Sequence, residues 1–284
     1  MKRVCIFGVG LIGGSLALAL KSRHWCQHIV GCSRNESHLR RAVELGAIDS
    51  YCLDPCDAVK DADLIFLGTP VGAIESVLRS IRDCLPEQVI ITDGGSCKQS
   101  VVDAAKAALG EIPARFVPGH PIAGKEKSGV QYASPTLYVD HKVILTPLPG
   151  TDEKATEVVR DMWETCGAIV QTLEVGQHDQ VLAATSHLPH VIAYALVETV
   201  AKTDFVSEIF DYAAGGFRDS SRVASSDPVM WRDICVYNKE SILEMTSLFR
   251  DQLESLEKLI ETKDAAELCE LFSKAKSVRD QRFG

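Results

Sequence analysis

The residues best suited to chemistry lie in Pro118-Gly119-His120-Pro121-Ile122-Ala123-Gly124-Lys125-Glu126-Lys127-Ser128-Gly129. An imidazole with an ordinary pKa near ~6.5 is largely neutral at pH 7 and can accept a proton. The apolar run Arg115 to Pro118 predicts a strand just before His120. That places the histidine in a loop at the carboxyl end of a parallel sheet, where open α/β sheets keep their ligands. The plainer reading is a turn histidine fixed between Gly119 and Pro121. A second constellation is Ser186-His187-Leu188-Pro189-His190. His187 and His190 share a helix face at i, i+3, but no third ligand accompanies them, so no metal is expected. Each also reads as a core histidine, His190 more readily. A third is Ala213-Ala214-Gly215-Gly216-Phe217-Arg218-Asp219-Ser220-Ser221-Arg222. Paired glycines with two arginines on a turn suit close approach to an anion; the other reading is a solvated interhelix loop.

The elements that must position these groups follow from periodicity. Residues 2–7 read as an apolar strand, then Gly8-Val9-Gly10-Leu11-Ile12-Gly13-Gly14-Ser15, then a helical run from Leu16 to Arg23. In this strand-to-helix setting Gly8 permits a tight turn, Gly10 admits a pyrophosphate, and Gly13 allows close helix packing. Gly8, Gly10, Leu11, Ile12 and Gly13 are therefore expected to hold a dinucleotide on the helix start. The second strand, His28 to Cys32, ends in Ser33-Arg34, where NAD enzymes usually place an acidic residue against the ribose hydroxyl. A hydroxyl and a guanidinium suit a 2′-phosphate, so the expected cofactor is NADP, with NAD as the alternative if Arg34 only stacks on adenine.

Strands are expected over Ala62–Leu67, Gln88–Thr92, Lys142–Thr146 and Ala168–Leu173, with Thr69 and Pro70 in a second loop at the cofactor edge. Helices intervene, including one capped by Thr151, so the fold class is α/β, a Rossmann-like doubly wound parallel sheet. In Asp93-Gly94-Gly95-Ser96-Cys97-Lys98, Ser96 is either a plain N-cap or a hydroxyl that reaches the nicotinamide or steadies His120. From Gly176 onward strand signals vanish. The expected domains are 1–173, dinucleotide-binding, and 174–284, all-helical and substrate-binding. Pro189 should disrupt a helix over Val181–Lys202. Ser226-Asp227-Pro228 caps a long amphipathic helix, Val229 to Ile260, and a last helix runs from Thr262 to Arg282. The apolar stripe Ile242, Met245, Leu248, Phe249, Leu253, Leu256, Leu259 and Ile260 predicts a homodimer through the C-terminal helices, unless it is simply intrachain core.

Bulk composition restricts the function. The chain has 284 residues, 46% hydrophobic, with a net charge of −9. That acidity argues against a nucleic-acid or anionic-membrane partner, and no apolar run reaches bilayer length. The start reads as a strand and not a signal peptide. Ten cysteines are scattered without a Cys-x-x-Cys pair, which predicts a reduced, cytoplasmic protein without a structural metal.

Taken in order, the amino-terminal glycine fingerprint, the His120 stretch, Ser186 to His190, Gly215 to Arg222, and Ser226-Asp227-Pro228-Val229-Met230-Trp231-Arg232-Asp233-Ile234 resemble the prephenate/arogenate dehydrogenase family over nearly the whole chain. The resemblance implies NAD(P)-dependent oxidative decarboxylation of prephenate to 4-hydroxyphenylpyruvate, on the way to tyrosine. It also assigns roles by position. His120 is similar to the family's base on the ring hydroxyl, and Ser96 to the residue orienting that histidine and the nicotinamide. Arg222 corresponds to the arginine gripping a substrate carboxylate, and His187 to a histidine on the substrate side chain. Glu126 and Arg218 resemble an ionic pair guarding the pocket; Ser226 and Trp231 resemble pocket-lining or partner-contacting positions, with Gly215 beside them. Ser220-Ser221 departs from an aromatic–Thr pair common before the key arginine. Two alternatives stay open: arogenate as substrate, and a catalytically silent NADP-binding sensor.

Overall fold

The alternation of apolar runs with glycine-bounded helices builds a parallel sheet in the computed structural model, which describes residues 1–125 and 127–283. The order is β1 (Arg3–Phe7), α1 (Leu11–Ser22), β2 (His28–Cys32), α2 (Glu36–Glu44), β3 (Ser50–Cys52), α3 (Pro55–Val59), β4 (Leu64–Leu67), α4 (Ile74–Ile81), β5 (Ile90–Asp93), α5 (Lys98–Leu109) and β6 (Phe116–Val117). These six strands pair in the order β3-β2-β1-β4-β5-β6, all parallel. Alternate residues of β1 serve opposite faces. Val4 and Ile6 pack with Leu16, Leu20 and Phe66; Cys5 and Phe7 pack with Ile65, Leu67, Leu78 and Val101. Burial on both faces explains the unbroken apolar run, and each large aliphatic or aromatic side chain so buried contributes roughly 1.5–3 kcal/mol.

The chain then leaves this sheet. β7 (Gly119–Pro121) and β8 (Lys142–Leu145) pair antiparallel, and after α6 (Glu153–Thr165), β9 (Ile169–Thr172) runs parallel to β8. The expected single sheet is therefore two sheets, and the expected His120 loop is a strand, with His120 opposite Ile144. Pro118 separates β6 from β7: it lacks an N–H for a ladder, and its carbonyl instead accepts from the Thr146 amide at 2.9 Å.

The rest is helical: α7 (Val175–Leu182), one π turn over Ala183–His187, α8 (Leu188–Ala201), α9 (Val206–Asp211), α10 (Gly215–Ser221), α11 (Pro228–Tyr237), α12 (Lys239–Glu261) and α13 (Ala265–Phe283). Four sequence expectations need correction. α1 begins at Leu11, five residues before the expected start, because Gly13 can sit inside a helix pressed against the Gly8 carbonyl. Asp152, not Thr151, caps α6; the Thr151 hydroxyl accepts the Leu148 amide instead. The Gly215–Arg222 segment is a short helix and not a loop. The long helix from Val229 is broken at Asn238.

Contacts divide the chain into two compact units, 1–239 and 240–284. Within the second, α12 and α13 expose Leu248, Leu253, Ile260, Phe272 and Val278. The expectation of only reduced thiols is also corrected. α3 packs near α4, bringing Cys56 and Cys84 to 5.6 Å between Cα atoms, and they form a disulfide. Among the described residues no helix is long and apolar enough to cross a membrane.

Candidate active site

The residues expected to hold a dinucleotide all follow carboxyl ends of neighbouring parallel strands. Gly8 and Gly10 follow β1, Ser33 and Arg34 follow β2, and Thr69 and Pro70 follow β4. β1 and β4 are adjacent while β2 lies on the other side of β1, so the crevice falls at the topological switch point. The three glycines divide their work. A Cβ on Gly8, whose φ is +84°, would lie 2.6 Å from the Gly68 carbonyl oxygen, and one on Gly13 would lie 2.3 Å from the Gly8 oxygen. A Cβ on Gly10 would meet nothing within 4 Å. Gly8 and Gly13 are thus required by the fold, whereas Gly10 keeps open space over the start of α1. That space, beside amides at a helix N-terminus, fits a pyrophosphate. The buried Thr69 hydroxyl has no hydrogen-bond partner among the described residues and adds a polar group beside the same crevice.

At the end of β2, Ser33 is engaged in a turn: its hydroxyl donates to the Asn35 carbonyl at 3.2 Å and accepts the Asn35 amide at 3.3 Å. Arg34 is exposed. Arg40 and Arg41 are tied to Glu36 and Glu44 on their own helix.

His120 is buried, 9% exposed, and its ring is held from one side. Its Nδ1 lies 2.9 Å from Nε2 of His178, and Nδ1 of His178 lies 2.8 Å from Oδ1 of Asp179. Asp179 also accepts the amides of Lys98 at 2.7 Å and Gln99 at 2.9 Å, capping α5 from another element. The backbone beneath His120 is fixed as firmly. Asp93, at the end of β5, accepts the Gly119 amide at 3.0 Å and pairs with the buried Lys98 ammonium, which donates to the Gly119 carbonyl at 2.7 Å. Burial holds the His120 imidazole well below its ordinary pKa, and His178, Lys98 and His187 push the same way. Burial pushes the Asp179 carboxyl up, but hydrogen bonds from His178, Lys98 and Gln99 outweigh it and hold it low. The pair is therefore a neutral histidine next to a relay that ends in a carboxylate.

His187 ends the π turn, an element often found at functional sites. Pro189 sits in the first turn of α8, where its missing N–H costs little, and the extra residue in the π turn absorbs the expected disruption. Asn238 donates its side-chain amide to Nδ1 of His187 at 3.0 Å and to the Asp179 carbonyl at 2.9 Å. His187 is consequently a donor through Nε2, and burial brings its pKa down to about 4. Trp231 meets His187 edge-on at 6.0 Å and stacks on His190 at 3.6 Å. Its buried indole N–H has no partner among the described residues. His190 donates to the Ser186 carbonyl at 2.8 Å and feels the charge of Arg222.

The structure thus brings His120, His187, Trp231 and Arg222 into one neighbourhood. Ser226 joins it by backbone, its carbonyl accepting the Tyr194 hydroxyl at 2.9 Å. Gly215 opens α10 and Arg218 lies exposed on it. Glu126, and with it the Glu126–Arg218 pair, lies outside the described residues. Ser96 precedes the Cys97 N-cap of α5 and is not itself the cap. The partner of His120 Nδ1 is His178. Sequence reasoning did not single out His178, Asp179, Lys98 or Asn238.

A glycine crevice at the switch point, beside a neutral buried histidine and a helical lobe carrying an arginine, defines a nicotinamide-dinucleotide oxidoreductase. Comparisons with known proteins name the family. Residues 16–172 match the prephenate dehydrogenase nucleotide-binding domain and 174–274 the prephenate dehydrogenase dimerization domain. The chain is 37% identical to prephenate dehydrogenase of Bacillus subtilis over 98% of this chain and 75% of the relative. It is 38% identical to cyclohexadienyl dehydrogenase of Zymomonas mobilis, over 98% and 95%. It superposes on Aquifex aeolicus prephenate dehydrogenase bound to hydroxyphenyl propionate and NAD+ with a TM-score of 0.91 at 38% identity, over 99% and 98% of the two chains. It superposes on Synechocystis arogenate dehydrogenase at 0.83 and 30%, over 98% and 99%. The chain belongs to the prephenate dehydrogenase family.

Proposed function

We propose that this chain converts prephenate to 4-hydroxyphenylpyruvate and CO2 with reduction of NAD(P), serving tyrosine biosynthesis. The observation that carries the reading is the buried, neutral His120 held by His178 at the carboxyl edge of a dinucleotide sheet. A dinucleotide held on the Gly8–Gly13 turn would supply the hydride acceptor for the ring carbon that bears the hydroxyl. His120 accepts the hydroxyl proton as the carbon–oxygen double bond forms; loss of the ring carboxylate as CO2 sends its bonding pair through the ring to that oxygen, and His120 returns the proton to it, giving the phenol. Arg222 anchors a carboxylate with its planar fork. His187 donates through Nε2 to the side chain, and the orphan Trp231 N–H offers one more donor to an anionic substrate. Ser96, just before the Cys97 cap of α5, is the candidate to orient the nicotinamide.

NADP is the proposed cofactor, supported by Ser33 and the exposed Arg34 where an acidic residue would repel a 2′-phosphate. The division of labour is placed at residues 1–173 and 174–284, and the exposed apolar stripe of α12 supports a homodimer.

Absorbance at 340 nm with prephenate, in parallel with NAD and NADP, tests reaction and cofactor together. An absorbance rise accompanied by CO2 is expected, larger with NADP. No rise with either nucleotide overturns the reading. Arogenate is the second reading, favoured by the likeness to an arogenate dehydrogenase; a higher kcat/KM on arogenate would establish it.

A further inference from the structure

We propose that His178 is a positioning residue, which with Asp179 fixes which nitrogen of His120 carries the proton, so that Nε2 is kept bare for the substrate. The inference rests on the dehydrogenase reading for its consequence in rate, but its geometry is independent of it.

Donors and acceptors, taken outward from α5, fix each proton in turn. The amides of Lys98 and Gln99 are obligatory donors at a helix start, and both point at Asp179. A carboxyl receiving two amides there is a carboxylate and can only accept. The remaining short contact, Oδ1 to Nδ1 of His178, must therefore be donated by the histidine. His178 is fully buried, and burial is the largest effect on it, holding its pKa below the ordinary value despite the carboxylate. It is neutral with one proton, and that proton is on Nδ1. Its Nε2 is an acceptor. The 2.9 Å contact to His120 Nδ1 can then be made only if His120 donates. Being neutral, His120 has no second proton, and its Nε2 is a lone pair. Without the relay, either nitrogen of a neutral imidazole can hold the proton, and the fraction protonated at Nε2 cannot act as base.

The relay also serves the next moment of the reaction. When Nε2 takes the hydroxyl proton, His120 becomes an imidazolium whose Nδ1–H is already bonded to an acceptor backed by a carboxylate. The proton added to Nε2 is the one lost by the substrate, and no proton need leave Nδ1. Asp179 stays ionised, as the carboxylate of a serine-protease triad does. Lys98, His187 and Asp93 are the other charged or titratable groups facing this pair, and Lys98 is itself neutralised by Asp93.

Ring-¹⁵N-histidine NMR of the whole protein reads the tautomer without any turnover. The expected wild-type signature is His120 protonated at Nδ1 and unprotonated at Nε2. His178→Phe keeps the bulk but removes the acceptor; it should lose that signature and lower kcat by about 10²–10⁴ with KM within about twofold of wild type. His178→Gln retains one acceptor for His120 and one donor for Asp179, and should restore the signature and at least about tenfold of the lost kcat. Wild-type His120 protonated at Nε2 overturns the proposal, whatever the variants do. So does His178→Phe with the signature and kcat unchanged. If the wild-type signature is as expected but no prephenate is oxidised, the relay stands and the proposed reaction falls.

Discussion

His120 and His187 sit close enough to feel each other's charge, yet they are prepared for opposite tasks. Asn238 occupies Nδ1 of His187 as a donor, leaving Nε2–H to donate; His178 occupies Nδ1 of His120 as an acceptor, leaving Nε2 to accept. Replacing His120 by Asn removes the acceptor of the hydroxyl proton and little else. Turnover should fall by about 10²–10⁴ while the KM for prephenate moves little, measurable by initial rates at saturating nucleotide. The same burial that keeps these rings neutral links stability to pH. His187 titrates at about 4 when folded and near ~6.5 when unfolded, so below pH 6.5 the unfolded chain binds the extra proton. Its contribution is complete above pH 6.5 and is lost as pH falls towards 4, amounting to about 3 kcal/mol over that window. His120 and His178, both held low, act in the same direction. Urea unfolding at pH 7 and at pH 5 should show wild-type stability falling with acidity, and His187→Leu should show a shallower fall. An equal slope in the variant would mean that His187 is not held neutral in the fold.

At the scale of elements, the β1–α1 turn separates what the fold needs from what the ligand needs. Gly13→Ala would drive a methyl against the Gly8 carbonyl, in backbone that has nowhere to yield, and should lower the melting temperature by several degrees. Gly10→Ala meets no protein atom, so its melting temperature should stay within a degree or two of wild type, while dinucleotide affinity falls about tenfold or more, read by fluorescence titration. A Gly10→Ala variant with unchanged affinity would show that the phosphates lie elsewhere. This turn was legible in the sequence because its signal is local: a strand, three spaced glycines and a helix within one stretch. The second sheet was not, since β7 is three residues long and follows directly on Pro118, leaving no period to read. Asn238 was hidden for the reverse reason. One polar residue inside a long amphipathic pattern reads as its solvent face, although here it ends α11 and reaches two partners in the site. His178 and Asp179 lie 58 and 80 or more residues from the groups they hold, and adjacent polar residues at a helix start carry no mark of that distance.

For the whole molecule, the question is what covers α12. Leu253 is 43% exposed and Ile260 62%, and the two are seven residues apart, within about 20° of one another around the helix. Between them lies Leu256, half-buried, while Ile242 at the start of the stripe is buried. Burying the exposed part of the stripe against a second copy fits the dimerization domain whose family model spans residues 174–274. A C2 contact uses the same patch twice, so each substitution is felt twice in the dimer. The double substitution L253E/I260E should therefore convert a dimer into a monomer in sedimentation velocity at micromolar concentration, because four carboxylates would face one another in apolar surroundings. Mass action supplies an independent check: the wild-type melting temperature should rise with protein concentration, and that of the double variant should not. A wild-type chain that sediments as a monomer, or a double variant that remains dimeric, would place the interface off this stripe.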